Sequence, residues 1–510
     1  MSFLQRLEET LDEEYNVSVT ENGAVGYRTT GKEILDFNFK IASYRSKSDA
    51  EIIKDFEKVF REDKILAMQF LFFIRDREEG LGERRLFRII LKCLANEEPA
   101  MVEKVLPIIA DYGRYDDLLE LFDTKVENKM LTLIATQLAT DIYAERKGEP
   151  ISLLAKWLPS VNCASAITRK KAMKLIKKIN DKAPRNEMIS SYRKTLSRLR
   201  KHLDVVERKM CANEWGKIKY ENVPSNANLK YKDAFLRHDE ERRNEYLEKV
   251  NEGKTKINSS KLFPHDIVHK YTSGWNRVLK EDDALEAMWK ALPKKEIENT
   301  LVVADGSGSM TSRVGNTGVT ALDVANALAI YFAEHNKGEF YNKYITFSSR
   351  PQLVSFDGFT TLHEKISEAL CHNEVADTNI EKVFMLILDT ALKDELTQEE
   401  MPKNILIISD MEFNSCVMCG TGRVNEKLFN IIGKRYEKYG YKLPRLIFWN
   451  VNSRTSTIPI KENDLGVALV SGFSTNIAEM VMSCETDPYK TLLEKLNTPR
   501  YLEIRKRLAD

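Results

Sequence analysis

Apolar positions in the first half of the chain recur every three to four residues, the spacing of helices with one buried face. Ile52, Ile53, Phe56, Val59 and Phe60 form one stripe, and Ile65, Met68, Leu71, Phe72 and Ile74 the next. Leu86, Ile89, Ile90, Cys93 and Leu94 follow, then Val102, Val105, Leu106, Ile108 and Ile109. Further runs span 118–122, 131–142 and 151–157, with breaks marked by Gly80, Gly82, Pro99, Gly113, Gly148 and Pro150. The rhythm is that of stacked helix pairs without a strict repeat, an irregular solenoid. One segment departs from it: Ile34-Leu35-Asp36-Phe37-Asn38-Phe39 alternates as a strand does.

In the second half the apolar residues bunch into short continuous runs, as in parallel strands buried on both faces. Such runs fall at 301–304, 405–409, 445–450 and 467–470, and segments 343–347 and 352–356 read as a hairpin pair. Residues 320–332 are helical in period and apolar nearly all round, which predicts a buried helix. Strands alternating with helices predict a doubly wound α/β domain whose ligand site lies at the carboxyl ends of the strands. The fold class is therefore multidomain, all-α followed by α/β.

The chemistry gathers where the first of these strands ends, at Asp305-Gly306-Ser307-Gly308-Ser309. One carboxylate and two hydroxyls on a tight loop offer hard oxygen ligands, which suit Mg²⁺ or Mn²⁺ rather than zinc. Further along, Thr378 stands just before a helical run at 380–386, and Asp410 ends the strand 404–409. From about residue 296 onward the chain resembles a von Willebrand factor A (vWA) domain with its metal-ion-dependent adhesion site, or MIDAS. The resemblance implies that Ser307, Ser309 and Thr378 touch the metal. Asp305 and Asp410 act directly or through water, and a partner's carboxylate takes the open position.

With 510 residues, 43% hydrophobic and 30% charged, the chain has room for two to four ordinary globular domains. Its longest apolar run, 65–74, is too short to span a bilayer, and the N-terminus has no signal-peptide pattern. Seven cysteines, an odd and scattered set, suit a reducing interior, so a cytoplasmic protein is expected. The net charge of +1 hides an asymmetry: segments 1–164, 165–210 and 211–510 carry −7, +11 and −3. Such a concentration of positive charge marks a polyanion binder. The candidate RNA-contacting residues are Arg169, Lys170, Lys171, Lys174, Lys177, Lys178, Arg193, Lys194, Arg198, Arg200 and Lys201. Lys and Arg neutralise phosphates without reading sequence, and no base-reading module is visible. Trp157, Tyr192 and Trp215 flank the run as candidate stacking partners, though as core anchors they need no such role.

The segments 75–85 (RDREEGLGERR) and 112–118 (YGRYDDL) resemble the helical module of the Ro ribonucleoprotein autoantigen family. That family joins a ring of HEAT-like helices, the TROVE module, to a vWA domain in the same order. Segments 20–24, 192–197, 264–268 and 497–501 resemble a related family found in phages, large viruses, fungi and plants; if the chain is phage or viral, the expected cytoplasm is the host's. The resemblance implies a TROVE-like helical domain over 1–290, a linker at 281–296 and a vWA domain over 296–510. It implies a non-catalytic scaffold for structured or misfolded RNA with a single-stranded end. A different reading makes the MIDAS the working site, taking an acidic side chain of a protein ligand without RNA. A third, a subunit serving an ATPase, has only fold analogy behind it.

Other signals are weaker. Gly26 to Glu33 approaches a phosphate-binding loop, but Glu33 stands where its hydroxyl should be. Cys416 and Cys419 form one CxxC pair, short of the four ligands of a zinc site. His265 and His269 share a helical spacing without a catalytic glutamate, and no GxSxG elbow occurs, so no enzyme is expected.

Overall fold

Strand β1, Thr300–Asp305, is buried along its whole length and lies at the centre of a six-stranded sheet. The others are β2 (Lys343–Phe347), β3 (Gln352–Ser355), β4 (Asn404–Ser409), β5 (Arg445–Asn450) and β6 (Val467–Ser471). Their order is β6-β5-β4-β1-β2-β3, all parallel except β3, which pairs antiparallel with β2 as the expected hairpin. The order reverses direction at β1. Its neighbours β2 and β4 therefore leave a crevice at the carboxyl end of β1, the place where open α/β sheets put ligands.

The computed structural model describes residues 14–273, 277–347, 350–373, 379–415, 427–478 and 487–509, with a few positions before 14. They divide into two compact units. The sheet unit comprises 1–67 and 259–498, and the helical unit 68–258 and 499–510. This is not the single cut near residue 290 that the sequence suggested. The segment 281–296 is not an open linker either: it holds the helix Asp283–Lys290, with Ala284 through Trp289 buried.

In the sheet unit the helix Ala321–Glu334 is buried from Ala321 to Ala333, as its apolar composition requires. Its start is fixed by a capping box in which Thr320 and Asp323 exchange hydrogen bonds. The segment Glu33–Lys40 is a helix, not the strand its alternation suggested. All of Ile34 through Phe39 is buried, so the polar positions that suggested a strand face protein rather than water. Asp36 accepts from the Thr30 N–H and hydroxyl (2.8 and 2.6 Å), and Asn38 donates to the Leu469 carbonyl (3.3 Å).

The helical unit contains the long helices Arg84–Glu97, Glu127–Arg146, Ala166–Ile179, Arg185–His202 and Ser225–Asn251, the last broken at Asp239. The segments singled out at 75–85, 112–118 and 497–501 meet here as an ion-pair network. Asp117, fully buried, accepts from Arg75 Nε (2.8 Å), Arg88 Nε (2.6 Å) and the Arg114 N–H (3.0 Å). Gly113 makes room for it, since a Cβ there would collide with the Asp117 carboxylate. Asp76 accepts from Arg500 Nη2 (2.7 Å) and the Tyr501 hydroxyl (2.9 Å), which fastens the C-terminal helix Pro499–Ala509 into this unit.

Candidate metal centre and basic helical surface

Parallel pairing of β1 with β4 sets the first candidate site. Ala304 lies opposite Ile408, so the next residues, Asp305 and Ser409, reach the carboxyl edge side by side. Ser409 Oγ donates to Asp305 Oδ2 at 2.6 Å, and the Ser307 N–H donates to Oδ1 at 2.9 Å. The hydroxyls of Ser307 and Ser309 are 3.0 Å apart. Asp410 turns in from β4. Its Oδ1 accepts from the Glu412 N–H (3.3 Å). Its Oδ2 accepts no hydrogen bond among the described residues and has Arg454 Nη1 at 3.5 Å.

Four of the five predicted metal residues, Asp305, Ser307, Ser309 and Asp410, are thus brought to one edge. Thr378 lies outside the described residues, but Asn379 caps the helix Ile380–Lys393 directly behind it. Burial pushes the Asp410 carboxyl up to about 7, helped by the charge of Asp305; Arg454, the Ser309 hydroxyl and the Glu412 N–H offset part of this. Asp305 is raised too, chiefly by burial against the donors Ser409 and Ser307. Two adjacent buried carboxylates, one with an unsatisfied oxygen, make a pocket of negative charge that Arg454 only partly offsets, and a bound divalent cation would relieve it. Among the described residues no group of three or more His, Cys, Asp or Glu side chains is placed to hold a metal ion; this edge brings together two carboxylates and the serine hydroxyls.

Glu412 gave no sequence signal. It is fully buried and accepts from the N–H groups of Arg454 (2.7 Å), Thr455 (2.9 Å) and Glu21 (2.9 Å) and from the Thr455 hydroxyl (3.0 Å). Only the fold shows that loops so far apart in sequence need one acceptor. Cys416 and Cys419 lie outside the described residues. His269 bonds Asp323 at 2.9 Å, and His372 lies between Gln352 (2.6 Å) and Glu368 (2.9 Å).

The predicted basic residues sit on the helices Ala166–Ile179 and Arg185–His202, which pack on each other and on Glu127–Arg146. They separate into two groups. Arg169 donates to the Cys163 and Ala164 carbonyls (2.8 and 2.7 Å), and Lys171 to the Leu119 carbonyl (2.6 Å). Lys174 pairs with Asp123 and Glu127 (2.6 and 2.7 Å), and Arg198 with Glu145 (3.1 Å). Arg200 donates to the Ala155 and Leu158 carbonyls (2.9 and 2.8 Å). These five act within the protein. Lys170, Lys177, Lys178, Arg193, Lys194 and Lys201 are exposed and form no salt bridge among the described residues, although the Lys170 charge reaches Asp123. Tyr192 is buried and donates to the Pro159 carbonyl (3.0 Å), an anchor rather than a stacking platform. Trp157 lies under Arg114, and Trp215 stacks on His238.

The class of protein defined here joins an α/β sheet unit, carrying an oxygen-lined edge site, to a helical unit with a basic surface. Residues 299–498, which contain the edge site, match the model of a domain of unknown function (DUF7788). Residues 127–305, which contain the basic helices, match that of a second domain of unknown function (DUF2828). The chain is 30% identical to Uncharacterized protein L728 of Acanthamoeba polyphaga mimivirus, over 94% of its own length and 87% of that protein's. It belongs to the same family as that viral protein.

Proposed function

We propose that the protein is a non-catalytic RNA-binding scaffold of the Ro type, with the helical unit as a TROVE-like, HEAT-like module and the sheet unit as a vWA domain. The observation that carries the RNA reading is the set of six exposed basic side chains on two packed helices, none of them in a salt bridge among the described residues. Free cations on adjacent helices offer a surface for a phosphate backbone at spacings no internal ion pair consumes. Shape-based recognition of folded RNA needs little more, and a single-stranded end adds flexible phosphates to the same surface. The vWA reading is supported by the strand order and by the DxSxS turn at the carboxyl end of the central strand. The proposed setting is the cytoplasm, that of a host cell if the chain is viral; among the described residues no helix is long and apolar enough to cross a membrane.

Mg²⁺ or Mn²⁺ would be held by Ser307, Ser309 and Thr378, with Asp305 and Asp410 contributing directly or through water. Bound there, the ion supplies a hard Lewis acid with an open position. Asp305 is oriented for this by Ser409 and the Ser307 N–H, and Asp410 keeps one oxygen unengaged. The open position of such an ion would support a second reading, in which the edge site takes an acidic side chain of a protein ligand and the helical unit is a docking scaffold.

Fluorescence anisotropy of the whole protein separates the two. A structured RNA with a single-stranded tail, the same RNA without it, and duplex DNA are titrated over a salt series, with Mg²⁺ or EDTA. RNA-preferring binding with a steep salt slope supports the scaffold reading. Weak binding without preference moves the function to the protein-ligand reading, checked by cation-dependent capture that Asp305→Ala abolishes.

A further inference from the structure

Asp305 and Asp410 are alike in burial but not in their surroundings. Asp305 has donors on both oxygens, whereas Asp410 Oδ2 has none among the described residues and faces a cation at 3.5 Å, long for a charge-assisted hydrogen bond. That cation, the Arg454 guanidinium, is anchored elsewhere. Its Nη2 lies 2.8 Å from Glu21, its backbone N–H is held by Glu412, and its side chain is about a third exposed. Glu412 also holds the Glu21 N–H, so one buried carboxylate fixes both the root of Arg454 and the residue that takes its tip. A long cationic side chain is thus held beside a buried carboxylate without a hydrogen bond to it, its tip already anchored by a second carboxylate, Glu21.

We propose that Arg454 is a tethered counter-cation of the metal centre: it balances Asp410 without metal, and a divalent cation displaces it from Asp410 while Glu21 keeps its tip. The inference rests on the metal reading above. A fixed positive charge near the ligands repels an incoming cation, while its removal leaves Asp410 without the opposite charge beside it. The two effects have opposite signs, so Arg454 weakens metal binding and strengthens the metal-free fold. A residue that merely shaped the loop would move both in the same direction when removed.

The test is Mn²⁺ binding, read by the electron paramagnetic resonance signal of free Mn²⁺, together with thermal unfolding in EDTA. Wild type, Arg454→Met and Arg454→Lys are compared as full chains. Arg454→Met is expected to bind Mn²⁺ about tenfold more tightly, a Coulomb effect reduced by solvent screening. It should melt lower than wild type in EDTA and gain more from Mn²⁺, with Arg454→Lys close to wild type. Unchanged or weaker Mn²⁺ binding by folded Arg454→Met overturns the inference and leaves the metal centre standing. No Mn²⁺ binding by any of the three overturns both. Should Arg454→Met not fold, the surface change Glu21→Gln serves instead. It removes the alternative anchor and is expected to weaken Mn²⁺ binding roughly threefold, and unchanged affinity would overturn the inference.

Discussion

Ser409 Oγ donates a 2.6 Å hydrogen bond to Asp305 Oδ2, joining the last residue of β4 to the last residue of β1. Both residues are buried, so the bond has no water to replace it. Ser409 Oγ also accepts from the Met411 N–H (2.9 Å), which braces the left-handed Met411 (φ 62°) that turns the chain past Asp410. Ser409→Ala removes the donor and leaves a buried carboxylate oxygen unsatisfied, at a cost of about 1–3 kcal/mol. Urea unfolding with and without Mg²⁺ measures it. If the site is a metal centre, the deficit is larger without Mg²⁺ and partly restored with it.

A second carboxylate gives the sheet unit a pH dependence of defined sign. Burial alone would raise Asp323, but bonds from His269, the Thr320 N–H and the Thr272 hydroxyl outweigh it and hold the carboxyl below its ordinary 3.8. A group depressed in the folded state contributes stability above its unfolded value and loses it as pH falls through the folded one. The contribution is therefore complete at neutral pH and fades below about pH 4. Asp323→Asn should lower stability at pH 7 and flatten its fall in that acid range. Equal acid sensitivity of variant and wild type in denaturant melts would refute the assignment.

The basic residues divide into those that hold the fold and those that face solvent, and variants should report the division. Reversing Lys177, Lys178, Arg193 and Lys194 to Glu is expected to leave the melting temperature nearly unchanged. It should abolish RNA binding and flatten the salt dependence, by about one unit of slope for each phosphate no longer neutralised. Arg200→Glu should do the opposite, lowering stability first, because its guanidinium caps the Ala155 and Leu158 carbonyls. Calorimetry beside an anisotropy salt series checks both, and RNA affinity that survives the fourfold reversal would remove this surface from the RNA reading.

Where side-chain pattern and backbone agree, the structure was legible in the chain. The strands 300–305, 404–409, 445–450 and 467–471 were legible because burial on both faces makes their central positions continuously apolar, with polar residues only at their ends. The DxSxS turn could be read because its residues are contiguous. The helix Glu33–Lys40 was not legible, since an element enclosed by protein shows no polar face by which to judge its period. The division of the chain was hidden for another reason. The C-terminal helix Pro499–Ala509 is assigned to the helical unit by Arg500 and Tyr501 meeting Asp76, partners more than 420 residues apart. Glu412 and Arg454 were missed likewise: two distant loops, at Glu21 and at 453–455, converge on one carboxylate, and no local spacing records it.

The same network gives the helical unit its sharpest test. Arg75 is about 1% exposed and Asp117 wholly buried, so neither charge is balanced by solvent. Pairs of this kind add little net stability over an apolar core, yet breaking one strands the partner. Asp117→Asn keeps the shape but leaves the Arg75 charge without its carboxylate and takes one acceptor from Arg88, at a cost of about 3–5 kcal/mol. Arg500→Met should cost less, about 1–3 kcal/mol, since Asp76 keeps the Tyr501 hydroxyl. The two differ in reach as well as size. Hydrogen exchange should show Arg500→Met loosening mainly the helix 499–509, whereas Asp117→Asn lowers protection across 68–122, where Arg75, Arg88 and Arg114 converge on one carboxylate. Equal, local effects from both would mean that the motifs at 75–85 and 112–118 are not the core of this unit.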